Sequence, residues 1–290
     1  MKNACNNQIG GASARTSPSP LFTERHLPRI HGLDVLRGLC IILMIFDHLA
    51  FDLWWFFDGA DHVFLQKLQE IADTWWLSTL RLCLRLPVIG IFFTISGICS
   101  SFSHNNFMRG AKLAAASAVL SLVTMLGDTF FSLDISIYFG VLHCFTVSVL
   151  LFAVLQLLLK DKAKYACLGI GILLFAWGLA IDYYTVPPLY PAWDKHAVTF
   201  TDWLRLAVGL NCYGADSFGI LPHTGIFLIG CYGGAQLYAR KLPYLPILSR
   251  APFRPFSFVG RKAVWFYLLH QPVVFALVAL LGLLCGVRII

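Results

Sequence analysis

One apolar stretch, HGLDVLRGLCIILMIFDHLAFDLWWF at residues 31 to 56, carries Arg37, Asp47, His48 and Asp52. An ionisable group near the centre of a bilayer costs about 2.5 to 3.5 kcal/mol on insertion scales, so such groups face a protein interior or a wet cavity and mark function. If the stretch is a helix, the eleven-residue step from Arg37 to His48 puts both on nearly one face, roughly 16.5 Å apart along the axis. Arg37 is suited to a phosphate, and Gly38 beside it permits close approach of a ligand. His48 is a candidate general base. Asp52, at i+4, shares its face and could hold the imidazole in one tautomer.

An acyl-coenzyme A laid along this face would put phosphate at Arg37 while its pantetheine arm carried the thioester to His48. Asp47 points about 100° away on the same wheel and reads as half of a buried ion pair. Asp34 reads as a helix N-cap or a local ion pair. Arg261 and Lys262 precede the last apolar run and would add positive charge on the Arg37 side. Three further histidines lie in apolar runs: His143 in YFGVLHCF, His223 in FGILPHTGIFLIG and His270 in VWFYLLHQPVV. Each is either a second candidate base or an interhelical hydrogen-bonder. No HxxxH or HExxH spacing occurs, so no metal is expected.

The elements that must position these groups are transmembrane helices. The chain has 290 residues, 58% hydrophobic and 13% charged, with mean hydropathy +0.72, against about 25% charged in soluble domains. About seven stretches can cross a hydrocarbon core: 35–57, 86–103, 111–128, 135–159, 164–182, 217–239 and 263–287. Residues 1–30 are rich in Ser, Asn and Pro and read as a disordered cytoplasmic tail, leaving 31–290 as a single transmembrane domain. With that tail inside, the inner segments hold 16 of the 22 basic residues, which satisfies the positive-inside rule and sends the C-terminus out. The net charge of +7 then belongs to cytoplasmic loops, and no nucleic-acid partner is needed. Cysteines, with no CxxC spacing, read as small core residues. On the outer side, residues 58–85 predict an amphipathic interfacial helix. Residues 183–216 form an aromatic, proline-broken loop that either covers a substrate or joins an aromatic belt.

The stretches LDVLRGLCIILMIFDHLAFDL, LPVIGIFFTISGICSSFS, FGVLH, FGILPHTGIFLIG and FVGRKAVWFYLLHQPVV, in that order from about residue 29 to 280, resemble the heparan-alpha-glucosaminide N-acetyltransferase catalytic domain found in bacterial membrane proteins. The Arg-Gly and His spacing is also similar to that of the wider membrane acyltransferase superfamily. The resemblance implies transfer of an acyl group from cytoplasmic acyl-CoA, acetyl-CoA above all, to a sugar amine or hydroxyl of an extracytoplasmic glycan. It implies that Arg37 and His48 match the motif arginine and histidine, and that His270 matches the terminal HQP. Two departures stand out. Animal lysosomal members have Asn about where His48 is, and their proposed catalytic histidine falls nearest His62. The residue after the Leu-Pro of the sixth span is usually aromatic in the family, where this chain has His223.

The expectation is therefore an all-α polytopic protein of the bacterial inner membrane, an acyltransferase with lipids around it and a homo-oligomer possible in form. Its cofactor-binding residues would be Arg37, Gly38, Arg261 and Lys262. His48, oriented by Asp52, would act as base or acyl carrier, with His62, His143, His223 and His270 as alternatives. The competing reading is a solute or proton-coupled transporter whose Arg, Asp and His residues line a pathway, although repeated halves with broken helices are not visible. A catalytically dead scaffold is the third.

Overall fold

Where no water can satisfy the backbone, apolar chain must satisfy it internally, and helices do so within one segment. The computed structural model describes residues 30–131, 135–185, 199–214, 216–237 and 246–287. The expected tail, apart from Ile30, lies outside the described residues, as do Tyr190, Trp193, Asp194 and the three prolines of the aromatic loop. Ten α-helices occur among the described residues: α1 (His31–Phe56), α2 (Val63–Trp76), α3 (Thr79–Ser101), α4 (Asn106–Phe131), α5 (Val141–Leu159), α6 (Ala163–Thr185), α7 (Phe200–Val208), α8 (Ile220–Leu237), α9 (Arg254–Arg261) and α10 (Ala263–Leu284). The seven expected spans fall on α1, α3, α4, α5, α6, α8 and α10. By length and composition, α1, α3, α4, α10 and the stretch Val141–Ile181, which runs through α5 into α6, are long and apolar enough to cross a membrane. Leu122, Val123, Leu173, Trp177, Trp265 and Leu277 project outward uncovered. Contiguous exposed apolar area of this kind is unfavourable in water and suits hydrocarbon. The chain is an integral membrane protein.

Two helix boundaries differ most from expectation. The second span begins at Thr79 rather than 86, because Ser78 caps it: its Oγ accepts from the Arg81 backbone N–H at 3.1 Å and donates to the Trp75 carbonyl at 2.7 Å. The extra two turns contain Arg81 and Arg85, whose charge had ended the apolar run. The fourth span begins at Val141 rather than 135, because residues 135–140 are held extended. The Asp128 carboxylate accepts from the N–H groups of Ile135 and Ser136 at 2.6 and 2.7 Å, and Phe139 pairs with Ser217 in an isolated parallel bridge. The expected amphipathic helix is α2. It buries Leu65 against Phe57, Val274 and Val278 and leaves Val63 and Ile71 exposed.

The core lies where α8 packs between α3 and α6, beside α5. Phe93, Phe145, Phe152 and Phe227 fill it, with the Phe93 and Phe145 rings stacked at 4.2 Å. A second contact surface joins α1 to α9. There Gly38 and Gly260 face each other so closely that a Cβ on Gly38 would collide with the Phe256 carbonyl, and one on Gly260 with the Asp34 carbonyl. Small residues that let two backbones touch are how helices associate in lipid, where apolar surface gives no net drive.

Candidate active site

Because α9 is clamped to the first turns of α1, α10 starts beside α1 and rises along it in the same direction. Successive contacts step up together: His48 with His270, Asp52 with Gln271, Phe56 with Phe275. The two imidazoles meet edge to face, ring centroids 4.8 Å apart and planes at 61°. Nδ1 of His270 lies 2.6 Å from the Tyr267 carbonyl. A carbonyl oxygen only accepts, so in the neutral ring Nδ1 carries the proton and Nε2 keeps its lone pair. Nε2 is buried and has no hydrogen-bond partner among the described residues. A buried base nitrogen with a fixed tautomer and an open lone pair is the arrangement proton abstraction requires.

The expected pairing of Asp52 with His48 is not what forms. Both Asp52 oxygens accept from Nε2 of Gln271, at 3.0 and 3.2 Å. Asp52 does share the His48 face of α1, but α10 packs along that face, and the amide one residue beyond His270 reaches the carboxylate. Asp52 thus ties down the turn that carries His270. Asp47 forms the expected ion pair, half-buried on the carboxylate side and buried on the arginine side. Its partner is Arg81, which donates from Nε at 2.6 Å and Nη2 at 2.9 Å, while Trp75 Nε1 adds a bond at 3.2 Å. The Arg81 guanidinium lies 3.4 Å from the Trp76 ring centroid. This clamp fixes the α2–α3 corner on α1.

Among the described residues, the other histidines make different contacts and none stacks on this pair. His143 has both nitrogens engaged: Nδ1 accepts from the Gly140 N–H at 3.2 Å, and Nε2 is 3.2 Å from Ser121 Oγ. Since Ser121 gives its own proton to the Ile137 carbonyl at 2.6 Å, Nε2 of His143 is the donor to Ser121. That ring holds the extended 135–140 segment in place. His223 bonds the Gly219 carbonyl at 3.0 Å through Nδ1 and lies against the Phe93 and Phe218 rings. His62 stands exposed just before α2 and lines a pocket of about 470 Å³ with Asp61, Gly286 and Val287, among others, a pocket whose wall includes neither His48 nor His270.

At the other end of α1, Arg37 donates to Cys99 Sγ at 2.8 Å and comes within 4.0 Å of Asp34. Arg109 of α4 stands near it and donates to Ser100 Oγ at 2.9 Å. Two guanidinium groups therefore share this end, Arg37 held by the Cys99 sulfur and the Asp34 carboxylate, Arg109 by the Ser100 hydroxyl. Gly38 is occupied by the backbone of α9, as described above, so the close approach its missing side chain permits is that of a helix. Arg261 and Lys262 are exposed at the α9–α10 junction.

Sequence reasoning missed Tyr267, Asp216, Arg81 and Arg85. The Tyr267 hydroxyl donates to Asp216 at 3.0 Å, which also accepts from the Val141 N–H at 3.1 Å, so the turn below His270 is anchored to the segment entering α8. Tyr267 at i−3 from His270 was the available signal. For the arginines it was the four-residue spacing in TLRLCLRLP.

The family model described as "Heparan-alpha-glucosaminide N-acetyltransferase, catalytic" matches residues 29–272. No curated protein and no solved structure matches the chain. The matched segment contains Arg37, His48, Asp52 and His270 and covers most of the sequence. The chain belongs to the heparan-alpha-glucosaminide N-acetyltransferase catalytic-domain family.

Proposed function

We propose that this protein is an acetyl-CoA-dependent transferase that passes an acetyl group through its helix bundle, from a cytoplasmic donor to a sugar amine or hydroxyl on the opposite side of a bacterial inner membrane. The observation that carries the reading is the pairing of His270 of α10, whose Nε2 has no hydrogen-bond partner among the described residues, with His48 of α1, the helix whose other end presents Arg37. The coenzyme phosphates would lie against Arg37 and Arg109, with Arg261 and Lys262 adding positive charge at the mouth, and the pantetheine arm would bring the thioester toward the histidines. Nε2 of His270 takes the proton of the acceptor amine or hydroxyl as it attacks the thioester carbonyl. The new C–N or C–O bond forms, the C–S bond breaks, and the proton passes on to the coenzyme thiolate. His48 packs the opposite side of the ring, and Asp52, through Gln271, is a positioning residue.

The test uses purified chain in detergent with isotope-labelled acetyl-CoA and a glucosamine-terminated oligosaccharide. Labelled N- or O-acetyl product and stoichiometric release of coenzyme A are expected, and both should disappear in His270→Ala while coenzyme A still stabilises the protein thermally. Solute uptake into vesicles with no dependence on acetyl-CoA, and no acetylated product, would overturn the proposal in favour of a carrier.

A further inference from the structure

The first turn of α4 and the last turn of α5 meet at one end of the bundle, where Asn106, Phe107, Ala153, Gln156 and Leu157, among others, line a pocket of about 340 Å³. Spanning helices end where hydrocarbon gives way to head groups, so the pocket lies at that level. Its wall holds a polar group with an unmet need. Asn106 is only 4% exposed. Its Nδ2 donates to the Ser100 carbonyl at 3.1 Å and to Oε1 of Gln156 at 2.8 Å. Those two acceptors fix the amide, because a flipped one would set oxygen against oxygen. Oδ1 is then left buried without a hydrogen-bond partner among the described residues. A buried amide oxygen with no donor is costly, and it calls for a ligand that brings an O–H or N–H.

Donors and positive charge surround this acceptor. Gln156 has its Oε1 taken and keeps Nε2 for an acceptor. Asn105 caps α4 by accepting from the Met108 N–H at 2.8 Å, while the N–H groups of Asn106 and Phe107 have no acceptor among the described residues. Free N–H groups at a helix start attract an anion. One turn past Gln156, Lys160 and Lys162 are exposed with Asp161 between them, and Lys164 follows. The inner rim is apolar: Phe107 and Leu157 are exposed, and Val154 and Leu158 continue that surface on α5. An anion-attracting edge beside an apolar strip facing hydrocarbon is the layout of a phospholipid rather than of a soluble anion.

We propose that this pocket seats an anionic phospholipid with a hydroxylated head group, of the phosphatidylglycerol type. The head-group hydroxyl donates to Oδ1 of Asn106. The phosphate meets Nε2 of Gln156 and the first-turn N–H groups of α4, with Lys160 and Lys162 adding positive charge, and an acyl chain follows Leu157 along α5.

The experiment adds phosphatidylglycerol, phosphatidylethanolamine or phosphatidylcholine, with matched acyl chains, to the full-length chain purified in detergent. Retained lipid is read by native mass spectrometry and Tm by thermal shift. Phosphatidylglycerol should be retained about tenfold more than phosphatidylcholine, whose trimethylammonium has no proton to donate, and should raise Tm. Phosphatidylethanolamine, a donor without net charge, should fall between them. Asn106→Ala should bring phosphatidylglycerol down toward phosphatidylcholine. Lys160→Gln leaves the amide network intact and serves if the alanine variant does not fold; it should narrow the gap between phosphatidylglycerol and phosphatidylethanolamine. Equal retention of the three lipids overturns the proposal, as does a preference that survives Asn106→Ala or, where that variant does not fold, one unchanged in Lys160→Gln. Glycerophosphoglycerol, the same head group without chains, should not displace the lipid at equal concentration; displacement would make the site one for a soluble phosphate and overturn the lipid. Displacement by coenzyme A would hand the pocket to the nucleotide and overturn it too.

Discussion

His143 and His270 sit in comparable apolar surroundings and do opposite things with their nitrogens. His143 spends both, one accepting from Gly140 and the other donating to Ser121, and so behaves as a brace for a non-helical segment. His270 spends one on the Tyr267 carbonyl and leaves the other, buried, without a hydrogen-bond partner among the described residues. Burial of an imidazole in a membrane bundle therefore says little by itself; the count of satisfied ring nitrogens separates a structural histidine from one poised to move a proton.

That contrast can be broken in graded ways. The largest effect is expected for His270→Ala, where kcat for acetyl transfer should fall by about 10² to 10⁴, the range for loss of a general base, with coenzyme A binding retained in a thermal-shift measurement. A fall below tenfold would remove His270 from proton transfer. Next, Arg37→Ala should raise KM for acetyl-CoA by about 10- to 100-fold, the equivalent of about 1.5 to 3 kcal/mol for a lost charge-assisted bond, with a smaller change in kcat. Gln271→Ala, which frees Asp52 and loosens the turn under the His270 ring, should reduce kcat by about tenfold, corresponding to about 1.4 kcal/mol. KM for acetyl-CoA should stay near its starting value. The smallest effect on catalysis belongs to His143→Phe. It leaves the Gly140 N–H without its acceptor at a cost of about 1 to 3 kcal/mol, visible as a lower Tm, while turnover per folded molecule persists. Loss of turnover in folded His143→Phe would dissolve the distinction between the two histidines.

Much of the architecture was legible because hydrophobic runs report span length directly. The two misplaced boundaries have one cause: charge and hydropathy were read as boundaries where capping and pairing decide. Arg81 ended an apolar window, yet Ser78 begins the helix three residues earlier and Asp47 neutralises the arginine from another helix. At residues 135–140 an apolar composition concealed backbone held extended by Asp128. The site divides similarly. Asp47 could be assigned to an ion pair from its wheel position alone. The partner of Asp52 could not be, since i+4 geometry on α1 was right and the competing amide arrived from a residue 219 positions away. His48 with His270 was likewise invisible as a pair, because it depends on where α10 starts beside α1.

That starting height is set by two glycines. With no side-chain cushion between Gly38 and Gly260, the crossing of α1 and α9 acts as a mechanical stop, and everything above it inherits its position. One residue of slip there would move the upper helix by about 1.5 Å along its partner, a third of the spacing between the two imidazoles. Even a methyl group at either glycine would work as a wedge under the histidine pair, shifting it from some distance without touching either ring.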